Sequence, residues 1–430
     1  MKVLILGGYG FIGAEIIRAC MAAGFDCVGL GRSAATGRRL VPEATWIGAD
    51  MATLDSAGKW QQHLAGINAV VNAAGALQDG ARDNLDAIHF RSIAALAEAA
   101  SEMNIKKFVQ ISAPGANTDA STAFLRTKAA GDAAVRASSL DWIVLKPGLV
   151  IGRGAYGGTA LLRMLAGFPL MTPLVHASAR VQTVGLDEVA AAVVAALEGA
   201  VPARRDYDLV EDDAHTLREI VRGFRRQLGF APARIETDLP LWFAGLVGKA
   251  ADAAGALGWR SALRSTALKV MSEDVRANPS AWREATGRGL KSFDETLADL
   301  PGAAQERIFA RAQLALPVIM VALVIFWLSS GVIGLIRIDA AASLLPRFGA
   351  DSARAMVITG AVLDIAVALG LLWRPTARAA AVASIIVSLA YLLVGTLLAP
   401  QIWADPLGPY VKVLPAMALG FAAALFLEER

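Results

Sequence analysis

The sequence has little cysteine, little histidine and little excess of charge of either sign. Its two cysteines, Cys20 and Cys27, and its four scattered histidines do not have the spacing of metal ligands, so we predict no metal site. Two cysteines are also too few for a disulfide framework, which fits a reducing compartment. The sequence has 41 lysine and arginine residues and 38 aspartate and glutamate residues, and the basic residues are scattered along it. This excludes the electrostatic footprint of a nucleic-acid-binding protein.

The chain also has too little charge for a protein that is wholly surrounded by water. Charged residues make up 18% of it, hydrophobic residues make up 55%, and the mean hydropathy is +0.49. No charged residue occurs between Arg311 and Arg337, a run long enough to cross a hydrocarbon core of about 30 Å. With three further apolar runs at 355–373, 379–399 and 409–427, the sequence predicts an all-α bundle of four transmembrane helices.

The first half of the chain alternates short β-branched runs with alanine-rich amphipathic stretches. This alternation predicts an α/β Rossmann-type parallel sheet with helices on both faces. The predicted strands lie near residues 2–6, 26–29, 45–48, 69–72, 107–112 and 142–145. From about residue 150 the pattern becomes more helical and irregular. It includes an apolar stretch at 239–259, which is either an amphipathic helix lying in the plane of a membrane or a buried lid helix.

A glycine-rich turn follows the first predicted strand directly and opens a helix. It reads GGYGFIG, which is a Gly-x-x-Gly-x-x-Gly spacing. Glycine permits the tight turn, the close approach of the backbone to a pyrophosphate and the packing of helix on strand, while the helix N-terminus attracts phosphate. The turn therefore predicts dinucleotide binding. The predicted contacts within it are Gly7, Tyr9, Gly10, Phe11, Ile12 and Gly13.

The end of the second predicted strand indicates which dinucleotide is bound. It reads LGRS, with no acidic residue to bond a ribose 2′-hydroxyl and with Arg32 suited to a 2′-phosphate. We therefore predict NADP(H) in preference to NAD(H), with a solvated loop arginine as the alternative. After the third strand, Asp50 is placed either to accept from an adenine amino group or to serve as an ordinary surface aspartate. Met51 and Ala73 complete the predicted cofactor site.

Further motifs accompany this turn: the Ala-Asp pair at 49–50, NAAG at 72–75, VQISA at 109–113 and KPG at 146–148. Together they resemble a short-chain dehydrogenase/reductase of the extended or atypical kind. FLRTKAAGDAAVR and WIVLKPGLVIGRG are similar to the NmrA-like group, which includes the NADPH-binding accessory subunit of complex I. We predict a nucleotide-binding domain over 1–155, a smaller, mostly helical substrate or lid region over 156–305 interleaved with it, and a membrane domain over 306–430.

Active enzymes of this superfamily pair a tyrosine with a lysine four residues later, assisted by a serine after the preceding strand. The resemblance assigns the lysine, which also bonds the nicotinamide ribose of the cofactor, to Lys128 and the serine to Ser112, whereas the tyrosine position holds Phe124. The alternative for Lys128 is a solvated lysine on the surface of a helix. A phenyl ring has no proton to exchange with a carbonyl or an alcohol. Either another group donates this proton, with Tyr9 and Tyr156 as candidates, or the domain binds NADPH without turning it over.

The membrane segment has a resemblance of its own. RAQLALPVIMVALVIFWLSSGVIGL and GAVLDIAVALGLLWRP are similar to the DoxX-like four-helix membrane family, in which some members are linked to quinone or thiol redox chemistry. Its mid-span Asp364 is costly in lipid, so we expect this side chain to face the bundle interior. There it is either a functional site or a hydrogen-bonding group between helices.

Two functions remain open from these features. One is a membrane-anchored NADP(H)-dependent oxidoreductase whose substrate is lipid-soluble, a quinone or an isoprenoid. The other is a non-catalytic NADPH-binding accessory or assembly subunit of a membrane complex. Because nicotinamide nucleotides are available in the cytoplasm, we predict a multi-pass protein of a bacterial inner membrane with its nucleotide-binding domain on the cytoplasmic side. The predicted partners are the lipid bilayer and a membrane substrate or complex.

Overall fold

A computed structural model describes residues 1–80, 83–259, 261, 263–265, 268–269, 274–406 and 408–427 of the chain. The chain divides into two compact units. The first unit consists of Met1–Asp252 and Ser261–Arg307, and the second of Ala253–Arg260 and Ile308–Arg430. The domain boundaries at 155 and 305 stay predictions, and the last three residues of the predicted membrane domain lie outside the described residues.

The first unit contains a seven-stranded parallel sheet. The strands of the described chain are β1 Lys2–Leu6, β2 Asp26–Gly31, β3 Thr45–Gly48, β4 Ala69–Asn72, β5 Lys107–Ile111, β6 Asp141–Pro147, β7 Leu149–Ile151, β8 Met171–Leu174, β9 Arg180–Val181, β10 Thr183–Gly185, β11 Arg205–Leu209, β12 His215–Thr216 and β13 Ile235–Asp238. The large sheet has the order β11-β6-β5-β4-β1-β2-β3, and all of its pairs are parallel. The other strands form two-stranded pieces, β10-β7, β12-β9 and β13-β8. The predicted Rossmann-type sheet is confirmed.

Helices cover both faces of this sheet. Those of the first unit include α1 Phe11–Ala22, α2 Ala34–Leu40, α3 Ala57–Leu64, α4 Ser92–Glu102, α5 Ala123–Ala137, α6 Gly158–Ala166, α7 Leu186–Glu198, α8 Leu217–Gln227, α9 Leu241–Ala256, α10 Ser280–Thr286 and α11 Phe293–Ala298, and α9 ends within the second unit. Because side chains alternate across a strand, Val3 and Ile5 of β1 join the core under α1 and α7, while Leu4 and Leu6 join the core under α3 and α4.

One strand of the large sheet was not predicted. β11 has the sequence RDYDL, in which charged residues outnumber apolar ones, so it lacks the β-branched run that marks the other strands. Only Tyr207 and Leu209 are buried. An edge strand needs just one buried face, and two buried side chains are enough to hold β11 against β6.

The second unit is helical and strongly apolar. Its helices are α12 Ala304–Ile336, which begins in the first unit, followed by α13 Ile338–Ala342, α14 Ala350–Leu372, α15 Ala377–Leu398 and α16 Pro409–Phe426. Four of them, α12, α14, α15 and α16, are long and apolar enough to cross a membrane, with mean hydropathies of 1.5 to 2.5 over their most apolar windows. These helices confirm the four predicted apolar spans.

Candidate functional site

The glycine-rich turn between β1 and α1 is closed by its own backbone. Gly7 has a φ of +67°, and the Gly10 amide donates to its carbonyl oxygen at 2.8 Å. A Cβ atom on Gly7 would lie 2.8 Å from the Cα of Ala74 and 2.9 Å from the carbonyl oxygen of Ala73. A Cβ atom on Gly13 would overlap the Gly7 carbonyl oxygen. Only glycine fits at both positions without displacing the backbone.

The N-terminus of α1 is free of a side-chain cap. Gly10 is its N-cap residue in extended conformation, and within the described residues the helix has no side-chain cap hydrogen bond. Uncapped amides at a helix N-terminus, next to a turn that brings the backbone close, form a ready anion site. The turn therefore fits a dinucleotide pyrophosphate. Beside it, the Phe11 ring lies near Gly154, and Ile12 packs on the core.

Arg32 follows β2 and is paired with an acidic side chain. Its Nη1 lies 3.0 Å from Oδ1 of Asp83, which raises the pKa of Arg32 against the opposing effect of burial. Tyr9 packs at the same strand end, with its ring 6.2 Å from that of Trp46 and directly over Gly31. Tyr9 thus lies at the carboxyl end of β2, beside Gly31. The candidate role of Tyr9 as an acid has no support from its packing.

Asp50 and Met51 have structural roles of their own. Asp50 is the N-cap of a short 3₁₀ helix at Met51–Thr53, and its Oδ1 accepts from the Ala52 amide at 3.0 Å. Met51 is buried in the core beneath the sheet. The capping bond explains an aspartate at this position without a ligand, so the adenine contact stays a prediction. Ala73 follows β4 and donates its amide to Leu6, beside the glycine turn.

Lys128 is buried at the carboxyl ends of β4 and β5. Its Nζ donates to the carbonyl oxygen of Ile111 at 2.8 Å and approaches that of Ala74 at 3.5 Å. Burial lowers the pKa of Lys128 to about 8, and nearby Asp132 opposes part of this effect. A solvated helix lysine, the alternative considered from the sequence, is wrong, because Lys128 is only 6% exposed.

A buried histidine, His89, packs against Phe124 and is affected by the charge of Lys128. His89 Nε2 accepts from the Ala76 amide at 3.1 Å, and its Nδ1 lies 2.9 Å from Oγ1 of Thr127. Burial and the neighbouring Lys128 charge lower the pKa of His89 to about 2, so its ring is not in the acidic imidazolium form at neutral pH. The Phe124 ring packs edge-on against the His89 ring, with centroids 5.7 Å apart.

Ser112 belongs to a buried hydrogen-bond chain that sequence reasoning did not find. Its Oγ donates to Oδ2 of Asp132 at 2.5 Å, and Gln110 Nε2 donates to Oδ1 of the same carboxyl at 3.2 Å. Asn72 Nδ2 donates in turn to Gln110 at 2.8 Å. Burial raises the pKa of Asp132, while the bonds from Ser112 and the charge of Lys128 lower it in part. The sequence spacing could have indicated that Asp132 belongs to the site, because Asp132 lies four residues after Lys128 and therefore on the same face of the helix.

A cavity of about 270 Å³ opens beside Phe124. Its walls come from the segment after β4, from the start of α5 and from two residues that follow α9, Ser265 and Lys269. Ligands of open parallel sheets bind outside the carboxyl ends of the strands. This cavity lies at that edge. A larger one, about 510 Å³, is lined by Lys107 and Asp141 at the amino ends of β5 and β6, and is remote from the candidate site.

A polar cluster lies among the helices of the second unit. Asp364 of α14 is 4% exposed, and its carboxyl bonds the hydroxyls of Ser330 at 2.6 Å and Tyr391 at 2.7 Å. Tyr391 also lies 2.9 Å from the carbonyl oxygen of Gly360. Asp364 therefore links three spans, as the hydrogen-bonding interpretation expected, and a functional role stays a prediction. In the described part of the chain, no cluster of three or more His, Cys, Asp or Glu residues has metal-site geometry.

Two family models match different parts of the chain. The model for NAD(P)H-binding proteins matches residues 7–199, and the model for the DoxX-like family matches residues 324–421. The chain is 25% identical over 248 residues to the ceramide reductase of Caulobacter vibrioides, covering 55% of this chain and 74% of that protein. It is 26% identical over 175 residues to an uncharacterized chloroplastic protein of Arabidopsis thaliana, covering 39% of this chain. The match spans 57% of that relative's length.

Solved structures share the fold of the first unit. WbmH of Bordetella bronchiseptica, in complex with NAD⁺, has a TM-score of 0.51 and 18% identity, covering 70% of this chain and 96% of its own. The UDP-glucose 4-epimerase of Thermotoga maritima has a TM-score of 0.52 and 16% identity, covering 73% of this chain and 100% of its own. The chain therefore joins an NAD(P)-binding Rossmann domain, with the fold of short-chain dehydrogenase/reductase-type epimerases and dehydratases, to a C-terminal DoxX-like domain.

Proposed function

We propose that this chain is a membrane-anchored NADP(H)-dependent reductase that acts on a carbonyl group of a lipid-soluble substrate. The observation that carries this proposal is the position of Lys128, buried at the carboxyl ends of β4 and β5 on the helix that also lines the cavity at Phe124. A nucleotide turn, a buried ammonium group and an adjacent cavity are the parts that a hydride-transfer site needs. The four apolar spans tether the chain that carries this site to a membrane, which raises the effective concentration of lipid substrates.

The cavity favours a substrate with both polar and apolar parts. Gln78 and Ser121 supply polar groups on its wall, while Leu85 and Phe124 supply apolar surface. The likeness to the ceramide reductase of Caulobacter vibrioides supports a ceramide-type lipid as the substrate class. Quinones and isoprenoids, expected from the sequence, meet the same requirement. We place the nucleotide-binding domain on the cytoplasmic side of a bacterial inner membrane, where NADPH is available.

In this proposal, Lys128 replaces the missing tyrosine as the source of the proton. NADPH held by the glycine turn supplies the hydride when bound. Lys128 holds a proton on Nζ below pH 8 and loses it above, so its charged form is present at neutral pH. Ser112 donates its hydroxyl proton to Asp132 and so helps to hold that carboxyl group near Lys128. Turnover should therefore fall as the pH rises through 8.

Arg32 is expected to distinguish the two dinucleotides. Replacing Arg32 with alanine removes the charge that would bond a 2′-phosphate, an interaction of about 1.5–3 kcal/mol, or about 10- to 140-fold in affinity. NADPH should bind more weakly by that factor, and NADH should bind as before. Titration of both nucleotides against full-length protein in detergent, followed by nucleotide fluorescence, measures the two dissociation constants.

Two variants control for the loss of charge. Asp83→Asn removes the ion-pair partner of Arg32 without removing the guanidinium, so NADPH should bind at least as tightly as in the wild type. Arg91→Ala removes a different arginine, one paired with Asp86 at 2.9 Å, and should leave both affinities unchanged. If Arg32→Ala weakened the binding of NADPH and of NADH equally, Arg32 would be a residue that supports the fold and not one that recognises the 2′-phosphate.

A second candidate function is a non-catalytic NADPH-binding accessory or assembly subunit of a membrane complex. Phe124 favours it, because the group that usually exchanges the proton is absent. The likeness to the complex I accessory subunit belongs to this alternative and stays a prediction. Gentle detergent extraction that retains stable neighbouring proteins would support it, whereas a free monomer would weaken it.

Phe124→Tyr separates the two candidates. The new hydroxyl would lie on the cavity wall one helical turn from Lys128, where the cation lowers the pKa of the phenol. If the site is a reductase, we expect NADPH oxidation with decylubiquinone or a ketone-bearing ceramide to rise by up to about 100-fold. Phe90→Tyr, at an exposed position, is the matched control and should change nothing. If neither the wild type nor Phe124→Tyr oxidised NADPH with these substrates, the result would favour the non-catalytic binding function.

A further inference from the structure

Helix α9 exposes its apolar residues and buries its small ones. Leu241, Trp242 and Leu246 are 66%, 71% and 60% exposed, whereas Ala244 and Gly248 are buried. A surface helix in water has the reverse arrangement, with its apolar stripe toward the core. The buried lid helix considered from the sequence is therefore wrong for the N-terminal half of α9. An apolar stripe of this kind marks a contact with something other than water.

The buried side of α9 is packed closely enough to fix which face is exposed. A Cβ atom on Gly248 would lie 3.3 Å from the Leu268 side chain and 3.4 Å from the Cα of Ser265. Asp252, further along the helix, accepts from Nε of Arg264 at 3.1 Å and from the Ser265 amide at 3.4 Å. Turning the helix to bury Leu246 would break these contacts. The outward stripe is therefore a property of the fold.

The chain that leaves α9 is attached to the end of a membrane span. Trp259 Nε1 donates to the carbonyl oxygen of Leu372, the last residue of α14, at 2.7 Å. The Arg374 amide donates to the carbonyl oxygen of Leu257 at 3.0 Å, and its guanidinium lies over the Trp259 ring at 5.6 Å. Tryptophan and arginine are the residues that anchor span ends at the interface of membrane and water. Residues 257–259 thus follow α9 at an interface.

The helix is too short to be a fifth span. Its 16 residues correspond to about 24 Å, compared with a hydrocarbon core of about 30 Å. Lys249 is the one charged residue on its exposed stripe, and Asp252 lies on the other side. A helix with an apolar stripe, a nearby basic residue and an interfacial end suits the boundary between headgroups and acyl chains.

We propose that α9 lies in the plane of the bilayer that holds the four spans, with Leu241, Trp242 and Leu246 inserted below the headgroups. The occupant of this apolar stripe is lipid, because the last residues of α9 belong to the second unit and continue to Trp259, which bonds the end of α14. The proposal does not depend on turnover. It would hold for a reductase and for a non-catalytic subunit alike.

Depth-dependent quenching tests the proposal on the full-length chain. Leu246→Cys places a label on the stripe, Glu43→Cys places one at an exposed loop position, and Leu363→Cys places one on the exposed side of α14 beside mid-span Asp364. The native Cys20 and Cys27 are buried, and the wild type labelled in parallel measures any background. Each protein carries an environment-sensitive fluorophore and is reconstituted in phosphatidylcholine–phosphatidylglycerol vesicles with nitroxide lipids, labelled either near the headgroup or near the chain end.

The label at 246 should emit at shorter wavelength than the label at 43, and shallow nitroxides should quench it more than deep ones. The label at 363 should be quenched most by deep nitroxides. A label at 246 that behaves like the one at 43 would overturn the proposal, since the stripe would then face water. Deep quenching at 246 would mean that α9 inserts across the membrane. Self-quenching that disappears on dilution with unlabelled protein would assign the stripe to a second copy.

Discussion

Gly13→Ala is expected to weaken NADPH binding by at least about 100-fold, which corresponds to about 2.8 kcal/mol. The new Cβ would overlap the carbonyl oxygen of Gly7, the atom that accepts from the Gly10 amide and closes the turn. The turn must open to relieve this overlap, and the amides at the start of α1 then move away from the pyrophosphate. Because each charge-assisted bond to phosphate contributes about 1.5–3 kcal/mol, losing two of them accounts for the effect.

The same overlap should lower the free energy of unfolding by about 1–3 kcal/mol, as overpacking usually does. Isothermal titration with NADPH and thermal unfolding of the full chain in detergent separate the two effects. Gly58→Ala is the matched control, because nothing lies within 4 Å of its new Cβ and it stands within α3. Alanine should leave nucleotide affinity unchanged there and stabilise the helix by up to about 1 kcal/mol. Wild-type NADPH affinity in Gly13→Ala would contradict a phosphate role for the turn.

Lys128→Met is expected to reduce turnover by about 100- to 10,000-fold, the range for removal of a general acid. Methionine is also long and unbranched but has no proton to donate. The wild-type rate should fall as the pH rises through about 8, where Lys128 loses its proton, and the variant should lose that pH dependence. Rates of NADPH oxidation with decylubiquinone or a ketone-bearing ceramide, measured across this pH range, test both statements.

The fold should survive this substitution. The pKa of Lys128 is lower in the folded chain, about 8, than its ordinary value of 10.5, so the unfolded chain binds this proton more tightly. The buried charge therefore destabilises the fold at neutral pH, and its contribution to stability improves as the pH rises from 8 to 10.5. Lys128→Met should unfold at the wild-type temperature or higher. Lys107→Met, at the opposite end of β5, is a matched control that should keep full turnover. A fully active Lys128→Met would exclude Lys128 as the acid.

Much of the architecture was predictable because its causes are local. The strand at 2–6 is predicted by a short apolar run of consecutive residues, and the spans are predicted by long apolar runs with few charges. The glycine turn was predictable for the same reason, since a missing Cβ matters to the few residues around it. β11 escaped prediction because its two buried residues, Tyr207 and Leu209, stand among charged ones and need β6 as a neighbour.

The candidate site was predictable in its members but not in their partners. The motif spacing identified Lys128 and Ser112, yet the carboxyl that bonds Ser112 and the ion pair of Arg32 with Asp83 join residues far apart in the chain. Such contacts depend on how strand ends converge once the sheet has formed. The burial that lowers the pKa of Lys128 likewise cannot be deduced from the order of residues in the chain.

Helix α9 shows where residue pattern stops being informative. Its composition suits a buried helix and an interfacial one equally, because both need apolar residues and few charges. Hydropathy runs and glycine sterics, which act between near neighbours in the chain, were sufficient for the fold class, the four spans and the nucleotide turn. The exposed face of α9, the partners of Arg32 and the burial of Lys128 were decided only by tertiary packing, because accessibility and ion pairing are properties of segments brought together in space.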